Sequence, residues 1–189
     1  MQKLVLDQIL KNFYQIFHHV FEDIDQDFQR EVLSRANFRY LAHDVEDEED
    51  TPAWIKDVQL PIIEQSGRRS RYVYFVLAGN VHIMNKEGMY EYGLIQEGGY
   101  FGDISVLLNR TNEYGYYYNP HTDKPVILLA LRAKEFLDIC DKHPLAKEVL
   151  VERAHRRRDM FENFKTVILL KYMKTIRRNP GIVTREHGT

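Results

Sequence analysis

Between about residues 4 and 36, apolar side chains recur at three- and four-residue steps: Leu4, Leu6, Ile9, Leu10, Phe13, Ile16, Phe17, Val20 and Phe21. That period gathers them on one broad face and predicts an amphipathic helix. Asp25 has a short carboxylate that can accept from the free N–H groups of a helix start. It is placed to cap a second, shorter helix carrying Phe28, Val32 and Leu33.

From about residue 37 to 132 the pattern changes to that of strands. Arg71 to Gly79 is rich in β-branched and aromatic residues, and Val81 to Met84 follows directly after Gly79-Asn80. A strand, a tight turn and a strand are the expectation there. Glu87-Gly88 predicts a second turn ahead of Tyr90 to Ile95, and Gly98-Gly99 a third. The Tyr-rich stretch from Tyr114 reads as irregular, and Val126 to Leu131 as a last apolar strand. The acidic run Val45 to Asp50, followed by Thr51-Pro52, reads as a solvated loop.

Helical periodicity then returns. Ala133 to Cys140 is short and stops before His143-Pro144, because proline disfavours a helical conformation at the preceding residue. A longer helix is expected from Leu145 through the 160s, with Leu145, Val149, Leu150, Met160, Phe161, Phe164, Val167 and Ile168 on one face. Asn179-Pro180-Gly181 ends it and leaves a flexible tail. The fold expectation is α+β: an antiparallel β-roll, jelly-roll-like, with helices at both ends. The segments are 1–36 for the N-terminal helices, 37–132 for the roll, 133–176 for the C-terminal helices and 177–189 for the tail.

Composition narrows the class of protein. With 189 residues, 44% hydrophobic and 29% charged, the chain can bury a core and is neither disordered nor membrane-like. No apolar stretch is long enough to span a bilayer, and the first residues lack a cleavable apolar leader. A single cysteine, Cys140, excludes an internal disulfide and fits a reducing compartment. The net charge of −2 argues against non-specific nucleic-acid binding. His18 and His19 are adjacent, so they point to different helix faces. His43, His82, His121, His143, His155 and His187 have no ligand spacing, so no metal site is expected. No nucleophile elbow, Walker loop or Cys–His pairing is present, which leaves catalysis without a visible basis.

One segment carries chemistry. In Gly98-Gly99-Tyr100-Phe101-Gly102-Asp103-Ile104-Ser105 the glycines permit a tight or positive-φ backbone, and Gly102 lets the chain pass close to a ligand. Asp103 to Leu108 can form one helical turn. A glycine opening onto a helix start presents free N–H groups that suit a phosphate, and Asp103 there can accept from a sugar hydroxyl. A plain strand-to-turn junction uses the same residue types.

Phe101-Gly102-Asp103-Ile104-Ser105 resembles the phosphate cassette of the cyclic-nucleotide-binding domain family, with Asp in place of Glu. Tyr74 to Ile83 resembles the family's early hairpin, and Val126 to Phe136 its closing strand and following helix. The likeness runs over roughly residues 12 to 165. Within the family, Val20 to Phe28 and Tyr100 to Leu108 look most like the cytoplasmic end of cyclic-nucleotide-regulated cation and potassium channels. That resemblance implies a binding module, not an enzyme, with cAMP or cGMP as ligand and no metal. It also implies a membrane channel chain around the domain, a homotetramer in the full protein, a cytoplasmic location and no nucleic-acid partner.

Two places test the resemblance. The family's cassette ends in an arginine that pairs with the cyclic phosphate, followed by a threonine or alanine; here those positions hold Asn112 and Glu113. A carboxylate there would repel a phosphate by roughly 1 kcal/mol or more where solvent is partly excluded. Arg110 lies two residues earlier and either substitutes or is a solvent-facing loop arginine. Tyr114 to Asp123 is longer and more aromatic than the family's usual connection and could fill the pocket from inside. On the C-terminal helix, alignment on Pro144 puts Arg157 where channel members reach over the purine, with Phe161 one turn on as an apolar lid. The alternative is a solvated basic face of Arg153, Arg156, Arg157 and Arg158 paired with Glu148, Glu152 and Asp159. Two functions therefore stand side by side: nucleotide-dependent helix movement coupled to a gate, and the same fold with a self-filled pocket as a structural or assembly element. A nucleotide-dependent transcription factor is disfavoured, because Lys165 to Arg178 reads as one basic-apolar helix.

Overall fold

The computed structural model describes residues 2–41, 61–86, 91–119 and 125–178, with side chains from residue 12 to 168. The acidic loop at 45–50, the Glu87-Gly88 turn and the tail beyond Arg178 lie outside the described residues. The chain opens with α1 (Gln2–Phe21) and α2 (Gln26–Arg35), followed by strands β1 (Asn37–Leu41), β2 (Ile62–Glu64), β3 (Tyr72–Ala78), β4 (Val81–Met84), β5 (Glu91–Ile95) and β6 (Tyr100–Phe101). After the one-turn helix α3 (Asp103–Leu107) come β7 (Gly115–Tyr118), β8 (Val126–Arg132), α4 (Ala133–Lys142) and α5 (Pro144–Arg178).

The strands form two antiparallel four-stranded sheets, ordered β1-β8-β3-β6 and β2-β7-β4-β5. Closing one sheet over the other gives a jelly-roll-like β-roll, the expected α+β architecture. The central strands β3 and β8 of the first sheet are buried on both faces, which is why Val73 to Val76 and Leu128 to Leu131 are continuous apolar runs without polar alternation. Val73, Phe75, Leu129 and Leu131 point outward to the helices. Tyr74, Val76, Leu128 and Ala130 point into the roll.

The outer core is built from phenylalanines. Phe13, Phe17 and Phe21 of α1 pack on Phe75 with ring centroids 5.5–5.9 Å apart. Phe28 of α2 meets Phe136 of α4. Asp25 caps α2 as expected, its Oδ1 accepting from Phe28 N at 2.7 Å.

Three sequence expectations are corrected. β3 and β4 do not form a hairpin, because they lie in different sheets. Gly79 (φ +80°) turns the chain from one sheet to the other against the start of β8, where a Cβ would sit 2.8 Å from Pro125 O. Pairing to β8 and β6 already occupies both edges of β3, so β4 goes elsewhere. Gly115 to Tyr118 is an ordered strand, held between β2 and β4. On α5 the apolar residues do not share one buried face. Leu150, Ala154, Arg157 and Phe161 follow four- and three-residue steps toward the roll, while Leu145, Met160, Phe164 and Val167 are exposed.

Candidate functional site

The Gly98 to Ser105 segment folds as the spacing suggests. β6 leads into Gly102, which takes φ +85° at the N-cap of α3, and Val106 N donates to Gly102 O at 3.1 Å. The close approach at Gly102 is to the protein itself. A Cβ there would lie 2.3 Å from the backbone oxygen of Tyr72, so the glycine lets the cassette press onto β3. Phe101 is buried between two rings, stacked on Tyr74 at 4.7 Å and on Tyr116 at 4.6 Å.

The polar groups of the cassette are satisfied by neighbours in the chain. Ser105 Oγ accepts from Ser70 N at 2.9 Å and donates to the Arg110 carbonyl at 2.6 Å. Asn112, at the place of the family's arginine, is buried: its Nδ2 donates to Ser70 Oγ at 2.9 Å and its backbone N to Arg68 O at 2.8 Å. It therefore braces the 67–70 turn against the cassette. Ile104 is half-buried beside it.

Arg110 is exposed and reaches Glu113 at 3.5 Å. Glu113 faces a second carboxyl, Glu162 of α5, and their shared hydrogen bond raises the pKa of Glu113 while lowering that of Glu162. Tyr114 Oη donates to Glu162 Oε1 at 3.1 Å, and the Tyr114 ring meets Phe161 at 5.9 Å. Two carboxyls and aromatic bulk thus share this rim with Arg110 and Arg158.

α5 closes the site. Arg157 Nη1 donates to Asp103 Oδ1 at 2.8 Å and Nη2 to Tyr100 O at 2.7 Å. The guanidinium also lies over the Tyr100 ring, 3.9 Å from its centroid. The Asp103 side chain is only 3% exposed. Burial opposes the charge on Arg157, but the Asp103 carboxylate and the Tyr100 and Tyr116 groups outweigh it and raise its pKa. Arg157, which the channel resemblance places over the purine, is engaged with Asp103, the residue expected to hold a sugar, and Phe161 lies one turn on. Of the expected basic face, Arg156 pairs with Glu152 and Arg158 with Asp159.

A hollow of about 630 Å³ lies between the cassette and α5, lined by His19, Gly98, Tyr100, Arg153, Arg157 and Met160, whereas the space on the α3 side is small. The cavity lined by Ser105, Arg110, Asn112, Tyr114, Tyr116 and Phe161 has a volume of about 30 Å³. That admits a water or two, against the ~300–1,000 Å³ of small-ligand pockets. Ser70, Tyr74 and Glu162 are parts of this arrangement that the sequence did not disclose. They come from β3, the turn before it and the far helix, and no local pattern marks them. Among the described residues no cluster of three metal-ligating side chains occurs.

Residues 61–143 match the sequence profile of the family described as cyclic nucleotide-binding domain. The fold is similar to that of cAMP-bound PfPKA-R, at 12% identity and a TM-score of 0.61, covering 86% of this chain and 46% of that one. It is similar to the regulatory domain of Toxoplasma gondii PKA crystallised with cAMP, at 13% identity and a TM-score of 0.58, covering 79% and 49%. The Thermus thermophilus catabolite activator protein aligns at 20% identity with a TM-score of 0.52, covering 80% and 62%. The chain thus spans about half the length of the first of these. At such identities the likeness is one of fold. No curated protein sequence matches the chain.

Proposed function

We propose that the chain, whose residues 61–143 match the family described as cyclic nucleotide-binding domain, is a regulatory module, without catalysis, whose working variable is how closely α5 docks on the cassette. The observation that carries this reading is the buried Arg157–Asp103 pair at 2.8 Å, which ties α5 to the cassette through the chain's own side chains. In this reading the cavity beside α3 is self-filled: Tyr114, Tyr116 and Phe161 crowd it, and Glu113 and Glu162 engage the cations at its rim. Docking of α5 is then set by the chain's own contacts, and the domain serves as a structural or assembly element.

A second reading keeps cAMP or cGMP as a ligand that drives the helix movement. It is favoured by the intact glycine-led start of α3 and by exposed Arg110 two residues from the usual arginine position. The cAMP carried by the structurally similar PKA regulatory domains supports it as well. A ligand could shift the docking equilibrium only by its difference in affinity for the docked and undocked states.

Calorimetry and thermal melts with cAMP and with cGMP separate the two. The self-filled reading expects no heat and no stabilisation at millimolar nucleotide. Micromolar binding would overturn it in favour of the second, and Arg110→Ala and Arg157→Ala would then distinguish phosphate pairing from lid closure.

The domain's setting is the cytoplasmic end of a cation or potassium channel, tetrameric in the full protein. This rests on the likeness of Val20 to Phe28 and Tyr100 to Leu108 to channel sequences. Among the described residues no helix is long and apolar enough to cross a membrane. Sequencing the transcript upstream of Met1 tests the setting: in-frame segments of about 20 apolar residues are expected, and an upstream stop codon with none would remove it.

A further inference from the structure

We infer that Arg153 is the positioning residue that passes the docking of α5 on to the N-terminal helices, an inference that rests on the docked-helix reading above. α1 ends at Phe21, and the last carbonyls of any helix have no partner within it and carry the negative end of its dipole. Arg153 supplies that partner from across the fold. Its Nη1 donates to Val20 O at 2.5 Å and its Nη2 to Glu22 O at 2.7 Å, with the Asp23 carboxylate 3.8 Å away.

Arg153 sits one helical turn before Arg157, so the two lie on neighbouring parts of one face of α5. One guanidinium grips the end of α1 and the next grips Asp103 and the Tyr100 carbonyl. Between them Ala154 is fully buried, and Leu150 one turn earlier is 4% exposed, so this stretch of α5 is seated directly on the core. A helix held by its own backbone hydrogen bonds moves as a rod over one turn. Lifting α5 from the cassette therefore withdraws the cap from α1 as well. The other tie between the terminal helices runs to α2: Lys142 Nζ lies 3.1 Å from Glu31, and His143 stands 3.4 Å from Asp25 and 3.5 Å from Glu31. It leaves the end of α1 untouched, which gives the Arg153 link a separate readout.

Hydrogen exchange of the cassette amides (103–107) and of the α1 end (18–24) tests this in Arg157→Gln, Arg153→Gln and the double variant. Arg157→Gln is expected to speed exchange at both places, by about tenfold or more at the cassette. Arg153→Gln is expected to speed it at 18–24 and, decisively, to abolish any further increase there when Arg157→Gln is added. A merely structural Arg153 would leave the effect of Arg157→Gln on 18–24 undiminished, and that result overturns the inference. So does an Arg157→Gln variant that loosens the cassette but not 18–24. If Arg157→Gln changes neither place, the docked-helix reading itself fails. Should Arg153→Gln not fold, Arg153→Lys replaces it. A single ammonium cannot fork to both carbonyls in the same way, so the transmitted effect is expected to fall by at least half, and an undiminished one overturns the inference.

Discussion

The two faces of the β1-β8-β3-β6 sheet bury cores of opposite character. Outside, against α1, α2 and α4, the large side chains are Phe13, Phe17, Phe21, Phe28, Phe75 and Phe136, joined by Val32, Ile139 and Cys140. Inside the roll they are Tyr74, Phe101, Tyr114 and Tyr116, and two hydroxyls end on carboxylates: Tyr74 on Glu64 and Tyr114 on Glu162. The outer core is apolar and held by shape and burial. The inner one has aromatic walls with a few polar tips. Their difference teaches where apolar burial alone holds the fold and where polar contacts are added to it.

The largest effect is expected in the outer core. Phe17, fully buried against the rings of Phe13 and Phe75, should cost about 3–5 kcal/mol when changed to Ala, measured by urea unfolding, because the helix above it cannot collapse into the gap. A loss below about 1 kcal/mol would erase the distinction between the two cores.

At the inner core's rim the decisive contact is ionic. Arg157→Met leaves the Asp103 carboxylate buried without its partner and should cost about 3 kcal/mol, whereas adding Asp103→Leu should recover most of that loss. A double variant as unstable as the single would mean that the pair's geometry, not its charge balance, holds α5.

Gly102 and Gly67 both have positive φ, but only Gly102 is pressed against backbone, 2.3 Å from Tyr72 O to a built Cβ. Gly67→Ala should therefore cost about 1 kcal/mol from its left-handed conformation alone, and Gly102→Ala clearly more. Equal losses in the melting midpoint would contradict a tight seat for the cassette.

The smallest effect concerns pH. Burial raises the pKa of Glu64 despite the hydrogen bonds from Tyr74 Oη and Arg71 N and the nearby charges of Arg71 and Arg39. A carboxyl raised on folding binds more protons in the folded state. Its contribution is therefore complete below the ordinary carboxylate range and is lost as pH climbs through the raised value. Glu64→Gln lacks that loss, so the variant should gain on the unmodified chain between pH 4 and pH 7 in paired denaturant titrations. A pH-independent difference would place Glu64 in water.

Much of this was legible along the chain, for physical reasons that differ by element. The phenylalanine spacing of α1 declares a buried face because helical period and burial coincide there. Asp25 declares a helix start because capping is local. The Gly102-Asp103 junction is legible because a positive φ and a helix start need only adjacent residues. The Gly79-Asn80 turn misled because a glycine specifies a bend and not the sheet to which the next strand pairs. The Tyr114 to Tyr118 stretch read as irregular because its order comes from β2 and β4 on either side.

By itself, then, the sequence determined the roll with helical ends, the cassette backbone and the missing phosphate arginine, since these follow from local conformation and residue identity. Only the tertiary structure decided that Asn112 braces Ser70, that Arg157 takes Asp103 and that Arg153 caps α1. Each of those contacts joins residues more than forty positions apart, and a partner at that distance is chosen by how the sheets and helices close on one another.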